Sequence, residues 1–145
     1  MVLAQKGYQV TGLDASSKML EIAKRKAQHQ NIRFVEGNVF DIPFEMDHFN
    51  VIISSYVVHA FEAKIRRKLY KHYVDHAKSD VYIIDFNNKR RWLIDVIEYA
   101  ERSDYQNFII QGPQEISTMF PNTRIIQGAE YTNVYHIKKQ GDANL

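Results

Sequence analysis

The sequence contains no cysteine, only three prolines and only six glycines. Without cysteine the chain can form neither disulfides nor thiolate metal sites. No apolar run approaches the roughly 20 residues that a membrane-spanning helix needs, and the apolar start at 1–4 is too short for a signal peptide. These absences predict a cytoplasmic protein without a membrane partner.

Charge is nearly balanced, with 19 Lys and Arg against 17 Asp and Glu, which gives a net charge of +2. That excess is too small to indicate a nucleic-acid partner by itself. The chain has 145 residues, of which 45% are hydrophobic and 12% aromatic. This composition is typical of a globular protein and excludes a disordered one, so we expect a single domain over 1–145.

Apolar residues recur at strand and helix spacings in alternation along the first hundred residues. The spacing predicts strands over 8–13, 32–36, 49–54 and 81–86, and helices over 17–29, 62–77 and about 92–100. The last third is interpreted as a loop over 104–113, one or two helical turns over 114–120, an antiparallel strand pair over 123–129 and 131–138, and a loose tail over 140–145. Strands alternating with helices predict an α/β fold whose sheet is parallel over most of its width.

The first predicted strand runs directly into Asp14, and Ser16 and Ser17 then offer a cap for the next helix. Ligands of open α/β sheets bind at the carboxyl ends of the strands, where an acidic residue commonly accepts hydrogen bonds from ribose hydroxyls. Asp14 is therefore a candidate nucleoside-binding residue. The alternative is that it is an ordinary helix cap or turn residue.

Three segments resemble motifs of the class I S-adenosylmethionine-dependent methyltransferases. The run Tyr-Gln-Val-Thr-Gly-Leu-Asp-Ala-Ser-Ser-Lys-Met-Leu at 8–20 resembles the second motif of that family. Ile-Arg-Phe-Val-Glu-Gly-Asn-Val at 32–39, with Asp-Ile-Pro-Phe at 41–44, is similar to the third. Phe-Asn-Val-Ile-Ile-Ser at 49–54, which continues into Ser-Tyr-Val-Val-His at 55–59, is similar to the fourth. Three motifs in the order and spacing of the family make the resemblance specific, and it implies a Rossmann-like fold with helices on both faces of the sheet.

The resemblance implies that S-adenosyl-L-methionine is the cofactor and assigns a contact to each of five residues. Asp14 would hold the ribose hydroxyls and Ala15 would lie against the adenine ring. Asn38 stands where the family usually has an Asp that receives the adenine amino group, and the amide of Val39 would meet a ring nitrogen. Ser54 would lie beside the methionine portion and the incoming substrate.

The first motif of the family, a glycine-rich turn after its first strand, has no counterpart, because no two of the glycines form a Gly-x-Gly pair. Residues 1–7 are instead typical of the last turn of a helix that Gly7 closes. We therefore expect a domain that is truncated at its amino end and lacks the first strand of the family fold. Alternatively, the strands at 8–13 and 49–54 close on each other, or a second chain in a dimer or with a partner supplies the strand.

The function implied by the resemblance is methyl transfer to a small-molecule acceptor. His59 is the candidate base, since an imidazole titrates near neutral pH, and Tyr56 could shape the acceptor pocket. The alternative for His59 is a helix-start residue whose ring is satisfied within the protein. If the chain does begin at Met1, we expect weak cofactor binding or none.

Two other functions remain open. One is an inactive or scaffold chain of the same ancestry, completed by a partner. The other is RNA binding, prompted by basic residues on the helix over 62–77 and at 89–91. The basic residues of that helix are Lys64, Arg66, Arg67, Lys68 and Lys71. His72 and His76 stand at i and i+4 but lack a third ligand at convincing spacing, so no metal site is predicted.

Overall fold

The computed structural model of the chain describes residues 2–27, 31–41 and 44–139. These residues form two compact units, Met1–Pro43 and Phe44–Leu145. The single domain expected over 1–145 stays a prediction. Among the described residues, no helix is both long and apolar enough to cross a membrane.

The first unit contains a pair of parallel strands, β1 (Val10–Asp14) and β2 (Ile32–Glu36), whose register runs from Val10 opposite Ile32 to Asp14 opposite Glu36. Its helices are α1 (Val2–Gln5) and α2 (Ser17–Lys26), and a short 3-10 helix (Val39–Asp41) follows β2. The strand predicted over 8–13 is observed at Val10–Asp14. The helix predicted over 17–29 ends at Lys26, and residues 28 and 29 lie outside the described residues.

Two local signals at the helix ends of this unit are confirmed. Gly7 follows α1 with a φ of 87°, and its N–H donates to the carbonyl of Ala4 over 3.0 Å. A left-handed residue at this place closes a helix, and glycine adopts it without a steric cost. Ser16 caps α2, because its Oγ accepts from the N–H of Met19 over 3.3 Å.

The second unit is built on a four-stranded sheet in the order β3-β4-β6-β5. Strands β3 and β4 are parallel, whereas β4 with β6 and β5 with β6 are antiparallel. The strands are β3 (Phe49–Ser55), β4 (Ala77–Phe86), β5 (Arg124–Gln127) and β6 (Thr132–Lys138). The helices are a 3-10 turn (Val58–Ala60), α3 (Ala63–His76), α4 (Trp92–Ala100) and α5 (Tyr105–Met119). The α/β fold with a carboxyl-terminal antiparallel pair is confirmed.

The core of the second unit lies where α3 packs on β4 and α5 packs on α3. Alternate residues of β4, namely Val81, Ile83 and Asp85, are fully buried, as the twofold repeat of a strand requires. Tyr70 on α3 and Phe108 on α5 are also fully buried. Burying side chains of this size stabilises the fold by about 1.5–3 kcal/mol each. Asp85 is the exception in the apolar row of β4, because it places a carboxylate inside the protein.

The loop predicted over 104–113 is wrong, because α5 is one continuous helix from Tyr105 to Met119 that contains Pro113. Its buried positions, which include Phe108, Gly112 and Ile116, recur at helical spacing, so the gain from packing outweighs the helix-breaking tendency of Gly112 and Pro113. Gly112 is required for that packing. A Cβ at this position would lie 2.5 Å from the ring of Phe108.

Arg66 is fully buried and joins α3 to α5. Its Nε and Nη2 donate to the two carboxylate oxygens of Glu115 over 3.2 and 2.9 Å. Its Nη1 donates to Asp104 over 2.5 Å and to the carbonyl of Phe61 over 2.6 Å. Two carboxylates thus surround one guanidinium, which is the arrangement that makes a buried cation tolerable.

Candidate functional site

The predicted nucleoside contacts lie together at one edge of the first unit. Strands β1 and β2 are parallel, so their carboxyl ends lie side by side. The N–H of Gly37 donates to the carbonyl of Asp14 over 3.1 Å, which ties the start of the β2 loop to the end of β1. Asp14 and Ala15 therefore lie at the same sheet edge as Asn38 and Val39. This is the edge where open α/β sheets bind ligands.

The side chains at this edge leave groups free for a nucleoside. One oxygen of Asp14, Oδ1, accepts from the N–H of Ser16 over 2.8 Å, and the second oxygen has no protein partner among the described residues. Asn38 Oδ1 accepts from the N–H of Phe40 over 3.0 Å, which leaves that amide oxygen one further lone pair. Asp14, Ala15 and Asn38 are all exposed. An exposed carboxylate beside a small apolar residue fits a ribose and a flat ring.

Val39 opens the 3-10 helix that follows β2, so its N–H has no acceptor within that helix. The side chain is half-buried. An N–H in this position is suited to donate to a ring nitrogen, which is the contact predicted for Val39.

In the second unit, His59 lies in the 3-10 turn after β3 and is buried between two carboxylates. Its Nδ1 is 2.7 Å from Oδ1 of Asp85, and its Nε2 is 3.3 Å from Oε2 of Glu98. The imidazole ring meets Phe86 edge-on with centroids 4.8 Å apart. The exposed fractions of His59, Asp85 and Glu98 are 6%, 0% and 7%, so the three charges face one another away from water.

Asp85 also holds the backbone around the histidine. Its Oδ2 accepts from the N–H groups of Val58 and His59 over 3.0 and 3.3 Å, and its Oδ1 accepts from the N–H of Phe86 over 2.8 Å. A carboxylate at the end of β4 thus fixes both the ring and the chain of the preceding turn. Because Nδ1 is the nitrogen that meets Asp85, the other nitrogen, Nε2, faces Glu98.

Glu98 contributes a charge but no formed hydrogen bond at the histidine. Its Oε2 lies within ion-pair distance of Nε2, yet this oxygen has no hydrogen-bond partner among the described residues. The two observations agree if the atoms are close but not aligned. A buried acceptor oxygen beside the imidazole is therefore unused.

The surroundings of His59 raise its pKa above the ordinary value. Burial alone would lower the pKa, but the hydrogen bond that His59 donates to Asp85 and the charges of Asp85, Glu98 and Glu101 outweigh it. The imidazole consequently keeps its proton to a higher pH than a free histidine does. This makes His59, Asp85 and Glu98 a candidate proton-handling cluster, which we call the His59 cluster.

Sequence reasoning singled out His59 and missed its two partners. Asp85 carried a visible signal, since it is the one carboxylate inside the apolar run of β4 and lies near its carboxyl end. The sequence signal for Glu98 was weaker, because Glu98 lies on α4 among apolar residues and only the fold turns it toward His59.

Tyr56 and Ser54 lie near the carboxyl end of β3 in different environments. Tyr56 has a φ of 53° and is half exposed, its hydroxyl is 2.7 Å from Oγ1 of Thr132, and its ring lies 5.1 Å from that of Phe86. A large residue in the left-handed region is unusual and marks strain of the kind found at ligand sites. Ser54 is buried, with its Oγ 3.0 Å from the hydroxyl of Tyr73, so its side chain is used inside the unit.

Two of the basic residues of α3 that suggested RNA binding are engaged by carboxylates. Arg66 is buried in the ion pairs described above, so it is unavailable to a ligand, and Lys71 pairs with Asp75 over 2.7 Å. His72 and His76 do lie close, with ring centroids 4.2 Å apart. Within the described ranges, however, no group of three or more His, Cys, Asp or Glu is arranged to hold a metal ion.

Comparison with known proteins identifies the first 80 residues. A family model described as a methyltransferase domain matches residues 1–80. The chain is similar to the 2-phytyl-1,4-naphtoquinone methyltransferase of Nostoc sp., with 33% identity over 108 residues that make up 65% of this chain and 47% of that protein. It is also similar to the Arabidopsis thaliana 2-phytyl-1,4-beta-naphthoquinone methyltransferase, with 26% identity over 71% of this chain and 48% of that protein. The chain spans about half the length of these relatives.

Solved structures share the fold at low sequence identity. A Pyrococcus horikoshii protein superposes with a TM-score of 0.73 and 16% identity, over 96% of this chain and 76% of that chain. The magnesium protoporphyrin IX methyltransferase of Synechocystis PCC 6803 with bound SAH superposes with a TM-score of 0.68 and 17% identity, over 96% and 68%. These matches confirm the Rossmann-like fold, and the family match confirms the resemblance predicted from the three motifs.

Proposed function

Because the chain belongs to the class I S-adenosylmethionine-dependent methyltransferases, we propose that it transfers a methyl group from S-adenosyl-L-methionine to a small-molecule acceptor. S-Adenosyl-L-methionine, the cofactor of the family, supplies an activated methyl group on a sulfonium. The observation that carries the proposal for this chain is the sheet edge of the first unit, where an exposed carboxylate with a free oxygen meets the β2 loop. We propose that the protein acts in the cytoplasm.

Asp14 would bind the nucleoside by accepting from the ribose hydroxyls through its free oxygen. The bond from Ser16 to the other oxygen holds the carboxylate in place before the ligand arrives. Ala15 would lie against the adenine, Asn38 would accept from the amino group, and Val39 would donate to a ring nitrogen. Binding through a prepared carboxylate costs little ordering entropy.

The His59 cluster would take up the proton that an acceptor loses. When a hydroxyl or ring-carbon acceptor gains the methyl group, the bond from sulfur to methyl breaks, the new bond to the acceptor forms, and one proton must leave. Neutral His59 can accept it, and the charges of Asp85 and Glu98 then stabilise the imidazolium. Positioning does most of the remaining work in such a displacement.

The acceptor is proposed to be a ring compound, because the relatives are named for naphthoquinone substrates and a solved neighbour for a porphyrin. Tyr56 would line the acceptor pocket through its half-exposed ring. Ser54 was predicted to contact the methionine portion. Since the side chain of Ser54 is hydrogen-bonded to Tyr73, we propose that the exposed neighbour Ser55 makes this contact instead.

Transfer of a radiolabelled methyl group from S-adenosyl-L-methionine to a panel of quinols and phenols tests the proposal. We expect turnover by the wild-type chain that Asp14→Ala lowers by tenfold or more and that the matched variant Glu21→Ala leaves unchanged. Glu21 is an exposed carboxylate of α2 in the same unit. Equal turnover in the two variants would contradict the role of Asp14.

The alternative is an inactive or scaffold chain that a partner completes. It predicts no transfer by the chain alone with any acceptor, and transfer that appears only when a partner chain is added.

A further inference from the structure

Helix α4 presents its apolar residues to solvent instead of to the core. Its exposed arc spans roughly 160° of the helix at about 100° per residue. Six residues form this arc, which we call the α4 face: Trp92, Leu93, Val96, Ile97, Tyr99 and Ala100. Trp92 is 70% exposed and Tyr99 is 82% exposed. A contiguous apolar surface of this kind marks an interaction site.

The opposite side of α4 faces the protein and carries two acids beside the half-buried Ile94. Glu98 is buried beside His59, and Asp95 is half-buried with a buried carboxylate oxygen. The usual amphipathic order of a surface helix is therefore reversed. Glu98 meets His59 across 3.3 Å, which holds this side of the helix against the protein, so the exposure of the α4 face is built into the fold.

Three consecutive cations precede the helix at its amino end: Lys89, Arg90 and Arg91. All three are exposed. Arg90 pairs with Asp95 over 3.0 Å, whereas the side chains of Lys89 and Arg91 have no carboxylate partner among the described residues. Arg91 instead lies over the ring of Tyr131, with 5.9 Å from its guanidinium carbon to the ring centroid.

We propose that the α4 face, together with Lys89, Arg90 and Arg91, docks on an anionic phospholipid surface. The apolar residues enter the boundary between headgroups and acyl chains, and the cations meet the phosphates. Charge complementarity favours this occupant, because an exposed cationic cluster continues directly into an apolar face. RNA is a poorer fit, since the exposed residues after the cations include aliphatic side chains that neither pair with phosphate nor stack on bases. The docking does not depend on the proposed reaction.

Trp92 is the only tryptophan of the chain, so its fluorescence reports on the α4 face alone. The full chain is titrated with vesicles of phosphatidylcholine, with and without about one third phosphatidylglycerol, and binding is also followed by sedimentation. We expect a blue shift of Trp92 emission and sedimentation with the anionic vesicles, both of which weaken as salt is added. Neutral vesicles should bind at least tenfold more weakly.

Two variants separate charge from apolar contact. Lys89→Gln with Arg91→Gln should weaken binding to anionic vesicles by about 25-fold, or about fivefold for each cation removed. Trp92→Ser with Val96→Ser should weaken binding to anionic vesicles, measured by sedimentation, at least tenfold. The matched control is Arg67→Gln with Lys68→Gln, which removes one arginine and one lysine from exposed positions of α3 and should change binding less than twofold. Circular dichroism confirms that each variant is folded.

Three outcomes would overturn the proposal. One is the absence of a blue shift with anionic vesicles. The second is a blue shift that follows protein concentration without lipid, together with a doubled mass, which would assign the α4 face to a second copy. The third is RNA binding that the Lys89 and Arg91 variant abolishes while vesicles leave Trp92 unchanged.

Discussion

Replacing His59 by Asn should destabilise the protein more at low pH than at high pH. An Asn side chain can still donate one neutral hydrogen bond to Asp85, but it never carries a charge. The pKa of His59 is raised in the folded state, so the stability that its charge contributes is fully present below the unfolded pKa of about 6.5. It is lost as the pH rises through the folded pKa. The penalty of the substitution should therefore shrink with pH.

The magnitude follows from the contacts. A hydrogen bond to a charged group contributes about 1.5–3 kcal/mol, against about 0.5–1.5 kcal/mol for a neutral one. His59 makes one such bond, to Asp85 over 2.7 Å, and faces Glu98 over 3.3 Å. Since Asn keeps a neutral bond, we expect His59→Asn to lower the free energy of unfolding by about 1–2 kcal/mol at about pH 5.5, and by about 1 kcal/mol less at about pH 9.

Urea unfolding of the wild type and of His59→Asn across this pH range measures the difference. Glu98→Gln removes one of the two carboxylates and keeps the shape, so in that background the pH dependence of the penalty should be smaller. A penalty that is constant with pH, or that grows as the pH rises, would refute the assignment of a charged His59.

Three further predictions concern the other buried features. Arg66→Met leaves the carboxylates of Glu115 and Asp104 without their cation, so urea unfolding should show a loss of about 3–5 kcal/mol in the free energy of unfolding. The exposed Arg67→Met should lose at most about 0.5 kcal/mol, and similar losses in the two variants would show that the ion pairs of Arg66 are not formed. Gly112→Ala should lower the free energy of unfolding by about 1–3 kcal/mol because its Cβ would meet the buried ring of Phe108 at 2.5 Å. Gly37→Ala, whose Cβ would lie 3.8 Å from Leu13, should be near neutral, and a higher urea midpoint for Gly112→Ala than for the wild type would contradict the packing. In the transfer assay, Glu98→Gln should move the base-dependent limb of the pH–rate profile to lower pH, and an unmoved limb would remove His59 from the role of base.

The parts of the fold that sequence reasoning predicted well are those where one local signal dominates. β2 was predicted with its observed bounds because a short alternating run is flanked by turn residues, and α2 was located by its Ser16 cap. The segment 104–113 was misinterpreted because Gly112 and Pro113 outweighed its apolar spacing. Only the structure shows that Gly112 admits the ring of Phe108, which lies one turn earlier on the same helix.

One part of the candidate site was predictable from the sequence and another was not. Asp14 and Asn38 lie at strand ends, so the topology alone brings them to one edge. The contacts of His59 were not predictable, because they join it to carboxylates 26 and 39 positions away along the chain. Glu98 lies on the inner side of α4 beside His59 and the apolar residues lie outside, whereas the helical periodicity alone would have placed them in the core.

Calorimetric titration of the full chain with S-adenosylhomocysteine, beside Asp14→Ala and Glu21→Ala, tests the central claim most directly. We predict saturable binding to the wild type and to Glu21→Ala, and a Kd that Asp14→Ala raises by tenfold or more, as the loss of charge-assisted bonds to the ribose requires. No binding at millimolar ligand by a chain that circular dichroism shows to be folded would contradict the claim. Equal affinity of wild type and Asp14→Ala would contradict it as well.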